Sequence, residues 1–406
     1  MNAPQKGNVL RSTESDLPLA RRARDARSSA IREILKVTLR PEVISFAGGL
    51  PAPESFPVEA LRAAFDKVLR EVGPGSLQYS TTEGHPQLRE WVAARETARG
   101  IPTSVDEVLI VSGSQQGLDL IAKAFIDEGA PILVESPSYL GALQAFGLFA
   151  PTFRAIPTDG DGLLPQAIDA TLAADARFAY VMPNFQNPTG RTLTNQRRAE
   201  LAAAARKHDF WLVEDDPYGE LWYRDQPPPS LRAFAPERTL RLGSFSKILA
   251  PGLRIGFIVA PRALIEVLIR IKQATDLHTA TLTQRAAFEV LNSALMAEHL
   301  PAIRARYASQ CAVMLEALAQ HFPREAVWTR PSGGMFIWIE LAAAQGIDTT
   351  ELLARAIGRQ IAFVPGEPFF ATAPQHNCLR LSFVTVPPGR IRAGVAVLGE
   401  LLGARG

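Results

Sequence analysis

Residues 108–134 read VLIVSGSQQGLDLIAKAFIDEGAPILV, a stretch that passes from one apolar run through a turn and a periodic segment to a second apolar run. The run Val108–Val111 predicts a short buried strand, and Gln116–Asp127 has the spacing of apolar residues that predicts a helix. Ile132–Val134 predicts the next strand. Two strands joined by a helix are typical of neighbouring parallel strands in an α/β sheet.

The same alternation continues on the C-terminal side of this stretch. Short apolar runs predict five further strands, at Phe153–Ile156, Phe178–Met182, Trp211–Val213, Leu240–Leu242 and Ile255–Val259. Helical segments lie between such runs, so the pattern predicts one large α/β domain with a mostly parallel seven-stranded sheet flanked by helices.

The pattern changes after about residue 285. Long helical segments and the apolar runs Met335–Glu340, Ile361–Val364 and Cys378–Phe383 predict a smaller α+β domain. Near the N-terminus an Arg-rich arm leads into Ile44–Pro53, where two Gly and two Pro predict a loop. We therefore expect an N-terminal arm with part of the small domain at residues 1–57, the large domain at 58–290 and the small α+β domain at 291–406.

The composition argues against several functional classes. The 406 residues include 43 basic and 41 acidic ones, and a net charge of +2 gives no strong field for nucleic acid or an anionic membrane. No apolar run approaches the roughly 18 residues of a membrane span. Two cysteines and six scattered histidines offer no metal-ligand spacing, so no metal is expected. These observations predict a soluble, cytoplasmic protein that binds neither nucleic acid nor membrane.

Lys247 differs from the other lysines of the chain. Only seven of the 43 basic residues are lysines, and those at 67, 123, 207 and 272 lie in helical segments among polar neighbours, where solvated surface charges are expected. Lys247 follows a strand, in LGSFSKILAPGLRIG (242–256), among small and apolar residues without a carboxylate neighbour. A lysine in such surroundings loses hydration, which favours the neutral amine that forms Schiff bases with carbonyl compounds.

The residues around Lys247 suit a phosphate group. Ser244, Ser246 and Arg254 offer two hydroxyls and a guanidinium, and the turn Ser112–Gly117 opens a helix whose free N–H groups can face an anion. A phosphate beside a Schiff-base lysine suggests pyridoxal 5′-phosphate (PLP). Two other classes are disfavoured. The Ser-x-x-Lys spacing of serine acyl-enzymes needs Ser-Asp-Asn and Lys-Thr-Gly segments, which are not in this sequence, and no dinucleotide fingerprint G-x-G-x-x-G follows the first strand.

A PLP site also needs a buried carboxylate beside the pyridine nitrogen. Asp215 and its acidic neighbours follow the strand Trp211–Val213, although a loop of capping carboxylates would look the same. Tyr218 and Asn187 could reach the phenolic oxygen of the cofactor, while an Asn-Pro turn is the plainer reading of Asn187-Pro188.

Two more residues fit a PLP site without being specific for it. Tyr139 could stack on the cofactor ring or be a half-buried aromatic residue. Arg380 could bind a substrate carboxylate or face outward from its strand.

Taken together, these segments resemble a known family. Asn-Pro-Thr-Gly (187–190), Asp215-x-x-Tyr218, Ser-Phe-Ser-Lys (244–247) and Arg254, in this order, are similar to the class I/II aminotransferases of the fold-type I PLP enzymes. The similarity extends from about residue 30 to the C-terminus. Residues 45–51, 78–79, 113–116 and 184–188 are most similar to the subgroup of 2-aminoadipate and kynurenine aminotransferases.

The resemblance implies roles for individual residues. Lys247 would form the Schiff base with PLP and then move a proton between the substrate Cα and the cofactor. Asp215 would pair with the pyridinium nitrogen, Tyr218 and Asn187 would bind the phenolic oxygen, and Tyr139 would stack on the ring. The phosphate would be held by Ser114, Gln115, Ser244, Ser246 and Arg254, with Tyr79 supplied by the other subunit of a homodimer. On the substrate side the resemblance implies Arg380 for the α-carboxylate, with Asn187, Gly49 and Arg32 nearby.

The activity implied is a ping-pong transamination. An amino acid of the 2-aminoadipate, aromatic or branched-chain type would donate its amino group, and a 2-oxo acid such as 2-oxoglutarate would accept it. Two alternatives stay open. One is another fold-type I PLP enzyme, such as a β-lyase or decarboxylase, because the site only orients the bond that breaks. The other is the PLP-sensing module of a regulator, which would need a DNA-binding domain before residue 40, where the arm is too short.

Overall fold

The computed structural model describes residues 17–26, 40 and 42–403. Its strands are β1 (Ile44–Ser45), β2 (Val108–Val111), β3 (Pro131–Glu135), β4 (Thr152–Ile156), β5 (Thr158–Asp159), β6 (Gly162–Leu163), β7 (Phe178–Val181), β8 (Trp211–Asp215), β9 (Thr239–Ser244), β10 (Gly256–Val259), β11 (Val327–Trp328), β12 (Phe336–Glu340), β13 (Ile361–Ala362), β14 (Val364–Pro365) and β15 (Cys378–Ser382). Its α-helices are α1 (Arg21–Arg24), α2 (Val58–Glu71), α3 (Pro86–Ala98), α4 (Ser114–Phe125), α5 (Leu140–Gly147), α6 (Asn195–His208), α7 (Leu231–Phe234), α8 (Arg262–Thr275), α9 (Thr281–Leu291), α10 (Leu295–His321), α11 (Thr349–Gly358) and α12 (Pro388–Gly403).

The larger sheet has seven strands in the order β2-β10-β9-β8-β7-β3-β4. All seven strands predicted from the sequence are present. Six of them run parallel, and β10 is antiparallel to both of its neighbours, β2 and β9. The carboxyl ends of the six parallel strands therefore meet at one edge, where an α/β sheet binds its ligands.

Burial on both faces explains the continuous apolar runs of this sheet. Every residue of β2, β7 and β10 is buried, as in a sheet that is covered by helices on both sides. Helix α4 can lie close against the sheet because Gly117 has no side chain. A Cβ atom at this position would meet Leu242 Cδ2 at 2.4 Å. This close packing brings the N-terminus of α4 to the ligand-binding edge.

The smaller sheet is antiparallel, in the order β11-β12-β15-β14, and β1 pairs in parallel with β13 beside it. Two predictions were wrong here. The segment predicted as a loop contains β1, and the run Ile361–Val364 is divided between β13 and β14, which belong to different sheets. Both errors concern two-residue strands that exist through long-range pairing rather than local pattern. The domain boundaries at residues 57 and 290 stay predictions.

Lys272 is not the solvated surface charge expected from its polar neighbours. Its side chain, on α8, is fully buried and pairs with Asp276 at 2.8 Å. Lys67 and Lys123, in contrast, have side chains that are 48% and 34% exposed.

Within the described ranges, no helix is both long enough and apolar enough to cross a membrane.

Candidate active site

Five loops meet at the carboxyl edge of the larger sheet, and each carries residues predicted for the site. The strands β2, β3, β7, β8 and β9 are parallel to one another and end within a few residues of Ser114, Tyr139, Asn187, Tyr218 and Lys247 respectively. Residues that are up to 133 positions apart in the sequence are thereby brought to one edge. Loops fixed to a rigid sheet can position several functional groups with little freedom.

Lys247 lies in the loop that follows β9. Its Nζ atom donates a hydrogen bond to the Gly49 carbonyl oxygen at 2.8 Å, and no carboxylate among the described residues forms a salt bridge with it. Burial first, and the guanidinium groups of Arg380 and Arg254 after it, lower the pKa of Lys247 to about 8. The amine is therefore far easier to deprotonate than an ordinary lysine.

The three consecutive acids at the carboxyl end of β8, Glu214, Asp215 and Asp216, have different environments. Arg241, itself buried, donates to Glu214 at 2.6 Å, to Asp216 at 2.8 Å and to Glu96 at 2.7 Å. Burial alone would raise the pKa of Asp216, but Arg241 and Arg99 outweigh it and lower that pKa to about 2. Glu214 and Asp216 are thus already bound to a cation, which offsets the cost of burying two adjacent charges.

Asp215 points away from this cluster. Its Oδ2 atom accepts a hydrogen bond from the Tyr180 hydroxyl at 2.8 Å, whereas its buried Oδ1 atom has no hydrogen-bond partner in the described part of the chain. Burial raises the pKa of Asp215 to about 7. A buried oxygen left without a donor is a position at which a cationic N–H group of a ligand would be bound.

Arg380 is buried in β15, so the outward-facing alternative was wrong. Its guanidinium donates to Asn187 Oδ1 at 2.8 Å and to the Ala47 carbonyl at 2.6 Å, and it lies 4.3 Å from the ring centroid of Phe336. Its Nε atom has no partner, and no carboxylate forms a salt bridge with it, among the residues described. Burial lowers the pKa of Arg380 to about 10. A buried guanidinium held by neutral groups is suited to a carboxylate from outside.

Two tyrosines face the same space. Burial is the main cause of the raised pKa of Tyr139. Asp215 raises this pKa as well, whereas Arg380 and Arg254 lower it. Burial likewise raises the pKa of Tyr218, and a hydrogen bond to the Asn187 side chain opposes that shift. Tyr218 also lies edge-on to Phe336, 5.8 Å between ring centroids, and Arg380 lies over the same Phe336 ring.

The N-terminus of α4 lies against the Arg254 guanidinium. Gly113 precedes the helix with φ = 78°, and a Cβ atom on it would lie 2.4 Å from Arg254 Nη2. The absence of a side chain therefore lets the guanidinium approach the backbone of the turn. Ser114 and Gln115 are the first residues of the helix, where N–H groups lack helical partners and favour an anion.

The remaining predicted residues fall into three groups. Ser244 ends β9, and its hydroxyl accepts a hydrogen bond from the Ser246 backbone N–H at 3.2 Å, so both serines lie in the Lys247 loop. Tyr79 instead projects from the surface of the chain, 78% exposed, with its ring edge-on to His278. Arg32 lies outside the described residues.

These observations fit PLP. The orphaned Asp215 Oδ1 suits a protonated pyridine nitrogen, the Lys247 amine suits the aldehyde, and the α4 N-terminus with Arg254 suits a phosphate. Asn187 uses its amide oxygen to accept from Arg380, so its NH₂ group, which also faces the Tyr218 hydroxyl, is the end that would donate to a phenolic oxygen.

Several residues of the site were not found by reasoning from the sequence. Tyr180 binds Asp215, Arg241 binds the other two acids, and the rings of Phe336 and Phe369 flank Arg380. A weak signal for Arg241 existed, since a single charge between Leu240 and Leu242 in a buried strand requires a partner. The aromatic residues around Arg380 carried no signal that distinguishes them from ordinary core residues.

The chain matches the family model described as aminotransferase class I and II over residues 41–398. It is 44% identical over 380 residues to a 2-aminoadipate transaminase of Thermus thermophilus, covering 92% of this chain and 94% of that protein.

Two solved structures are similar over nearly the whole chain. A kynurenine aminotransferase of Pyrococcus horikoshii, in complex with PMP, has a TM-score of 0.91 at 38% identity and covers 96% of this chain and 98% of its own. An α-aminoadipate aminotransferase of Thermus thermophilus, complexed with N-(5′-phosphopyridoxyl)-L-leucine, has a TM-score of 0.87 at 42% identity. The match covers 95% of this chain and 97% of that chain. Both structures contain a form of the cofactor that fits this site.

Proposed function

We propose the substrates of this chain, which belongs to the class I and II aminotransferases and is a PLP-dependent enzyme. Its amino-group donor is an amino acid of the 2-aminoadipate, aromatic or branched-chain type. Its acceptor is a 2-oxo acid such as 2-oxoglutarate. The observation that carries the proposal is the partly buried Lys247 amine, whose pKa is lowered by burial and by the Arg380 and Arg254 guanidinium groups, together with the unpaired buried oxygen of Asp215. The donor class is supported by the proteins to which the chain is similar.

The roles of the residues follow from their surroundings. When bound, PLP supplies an electron sink for the bonds at the substrate Cα. Asp215 would keep a proton on the pyridine nitrogen, because its free oxygen is buried and has no other donor among the described residues. Asn187 and Tyr218 would donate to the phenolic oxygen, and Tyr139 would pack against the ring.

Arg380 and Lys247 act on the substrate. Arg380 binds the α-carboxylate with N–H groups held in a fixed plane by Asn187 and Ala47, which orients the Cα–H bond. Lys247, as a neutral amine, would take the Cα proton of the substrate and, once protonated, would donate it back to the cofactor. Its lowered pKa keeps a substantial neutral fraction near pH 8.

The active form is proposed to be a homodimer with shared sites. Tyr79 and Leu77 are 78% and 68% exposed, and neighbouring large apolar side chains that are exposed together are typical of an interaction surface. A second copy of the chain would cover this surface. Tyr79 of one copy would then contact the phosphate group of the PLP that is bound to the other copy.

The Lys247→Ala variant tests the assignment. We expect loss of the visible absorbance of lysine-bound PLP and a fall in transamination of at least about 1000-fold, because the variant lacks the only proposed base. Lys123→Ala, which removes an exposed lysine, should leave both unchanged. Full activity in Lys247→Ala would overturn the proposal.

The donor is tested by a screen of 2-aminoadipate, kynurenine, phenylalanine, leucine and alanine with wild-type enzyme. The proposal expects conversion of bound PLP to pyridoxamine phosphate by one or more of the first four, ahead of alanine. Release of pyruvate or carbon dioxide without pyridoxamine phosphate would instead identify a lyase or decarboxylase.

A further inference from the structure

Lys272 is a buried lysine for which the proposed function has no use. Its Nζ atom donates to Gln116 Oε1 at 2.8 Å and to the two carboxylate oxygens of Asp276 at 2.8 and 3.0 Å. All three donors of the ammonium group are therefore used. Burial lowers the pKa of Lys272, and the hydrogen bond to Asp276 opposes this shift. A lysine that loses its hydration in this way needs a compensating interaction.

Lys272 and its partners are joined to the turn before α4. Gln116 Oε1 also accepts a hydrogen bond from the Ser112 backbone N–H at 2.8 Å, and its Nε2 atom donates to Asp276 at 2.6 Å. The Ser112 hydroxyl donates to the same carboxylate at 3.0 Å. We name these four residues, Lys272, Asp276, Gln116 and Ser112, the Lys272 cluster.

The Lys272 cluster fixes the start of the anion site. The chain continues from Ser112 into Gly113, whose positive φ turns the backbone, and then into Ser114 and Gln115, whose N–H groups are free of helical partners. Because Gln116 is bound by Lys272 while it accepts from the Ser112 N–H, the first turn of α4 is tied to α8.

We propose that Lys272 is a positioning residue for the phosphate group of the cofactor, and that it acts through Gln116 and Asp276 on the turn 112–115. The inference rests on the proposed assignment of Ser114 and Gln115 to the phosphate. Lys272 does not touch the cofactor. It keeps the N–H groups of the turn in the orientation that an anion requires, as a supporting residue does for groups in direct contact with a ligand.

The proposal predicts an effect that is selective for the phosphate. In the Lys272→Met apoenzyme we expect the dissociation constant for PLP to rise by about tenfold, as small displacements of binding groups do. The dissociation constant for pyridoxal, which has the same ring and aldehyde but no phosphate, should stay within about twofold of wild type, since no pyridoxal contact depends on the turn. Both constants are measured by absorbance titration of the apoenzyme.

A merely structural role for Lys272 would weaken PLP and pyridoxal by equal factors, and that result overturns the proposal. Lys123→Met is the matched control, because Lys123 lies at the other end of the same helix α4 in an exposed pair with Asp119. It should leave both constants unchanged.

A second variant covers the case in which Lys272→Met does not fold. Gln116→Ala keeps the Lys272–Asp276 pair and removes the bond to the Ser112 N–H, so it should reduce the preference for PLP over pyridoxal in the same direction. Unchanged preference in a folded Gln116→Ala protein contradicts the proposal. The absorbance test of Lys247→Ala is independent of these ratios, so failure of the catalytic assignment and failure of this inference can be told apart.

Discussion

Lys247 has its amine in a partly buried position near two guanidinium groups, which disfavour its protonated form. Burial first, and Arg380 and Arg254 after it, lower the pKa from the ordinary 10.5 to about 8. Since only the neutral amine attacks an aldehyde, we expect the rate of PLP capture by the apoenzyme to rise about tenfold per pH unit below pH 8 and to level off above it. Stopped-flow absorbance after mixing the apoenzyme with PLP gives this profile.

Nα-acetyl-lysine, which has a free side-chain amine, is the control for this pH profile. Its amine has an ordinary pKa, so its rate of reaction with PLP should continue to rise until about pH 10. An apoenzyme rate that also climbs to pH 10 without a plateau would show that the pKa of Lys247 is not lowered.

Single residues differ in how far the sequence predicts them. Lys247 could be singled out because its neighbours in the sequence are themselves small and apolar. The choice between Asp215 and Asp216 depends on Arg241, which is about 25 positions away and meets only one of them. Lys272 was misjudged because its polar sequence neighbours face other directions, while its partner Gln116 is 156 positions away. Local sequence predicts a local environment and fails where the environment is made by distant segments.

At the scale of elements, Arg241 joins β9 to the end of β8 and to helix α3. Its side chain and those of Glu96, Glu214 and Asp216 are almost fully buried. We expect Arg241→Met to lower the free energy of unfolding by about 3–5 kcal/mol, because three buried carboxylates lose their shared cation. Urea unfolding of the apoenzyme, followed by circular dichroism, measures the change.

Arg262→Met is the control for this loss. Arg262 lies at the start of α8 with a side chain that is 70% exposed, so its ion pairs are screened by water and the change should be within about 0.5 kcal/mol. Arg241→Lys keeps the charge with fewer hydrogen-bond donors. Its loss of free energy of unfolding should lie between those of Arg241→Met and Arg262→Met. Equal stability of Arg241→Met and Arg262→Met would show that the buried cluster contributes little.

The strands of the larger sheet were predictable because burial on both faces requires unbroken apolar runs. Their directions were not fully predictable, since β10 reads like its neighbours and is antiparallel to them. The short pairs β1 and β13, and the division of Ile361–Val364, depend on which distant segment lies alongside. Periodicity therefore predicts that an element exists and leaves its partner open.

At the scale of the whole molecule, the proposed dimer predicts complementation between two defective variants. Lys247→Ala and Tyr79→Ala should each be weakly active at limiting PLP. In a hybrid dimer, one site combines an intact Lys247 with the partner's intact Tyr79. Random exchange makes half of the dimers hybrids, so we expect recovery of about a quarter of wild-type activity. The measurement is activity after mixing, partial unfolding and refolding of the two variants.

The mixture is compared with each variant carried through the same treatment alone. Activity that equals the average of the two variants would show that Tyr79 serves its own chain or no site at all. Gel filtration of the wild-type enzyme as an active monomer would contradict the dimer itself.

Two polar atoms at the centre of the site, Asp215 Oδ1 and Arg380 Nε, are buried without hydrogen-bond partners among the described residues. Each such group costs about 1–3 kcal/mol of folding free energy. A cofactor or substrate that satisfies them returns that stability on binding, so the chain without its cofactor opens more often and is the better protease substrate. In a cell short of vitamin B6, degradation would remove the unloaded chains first, and the amount of this enzyme would follow the supply of the vitamin.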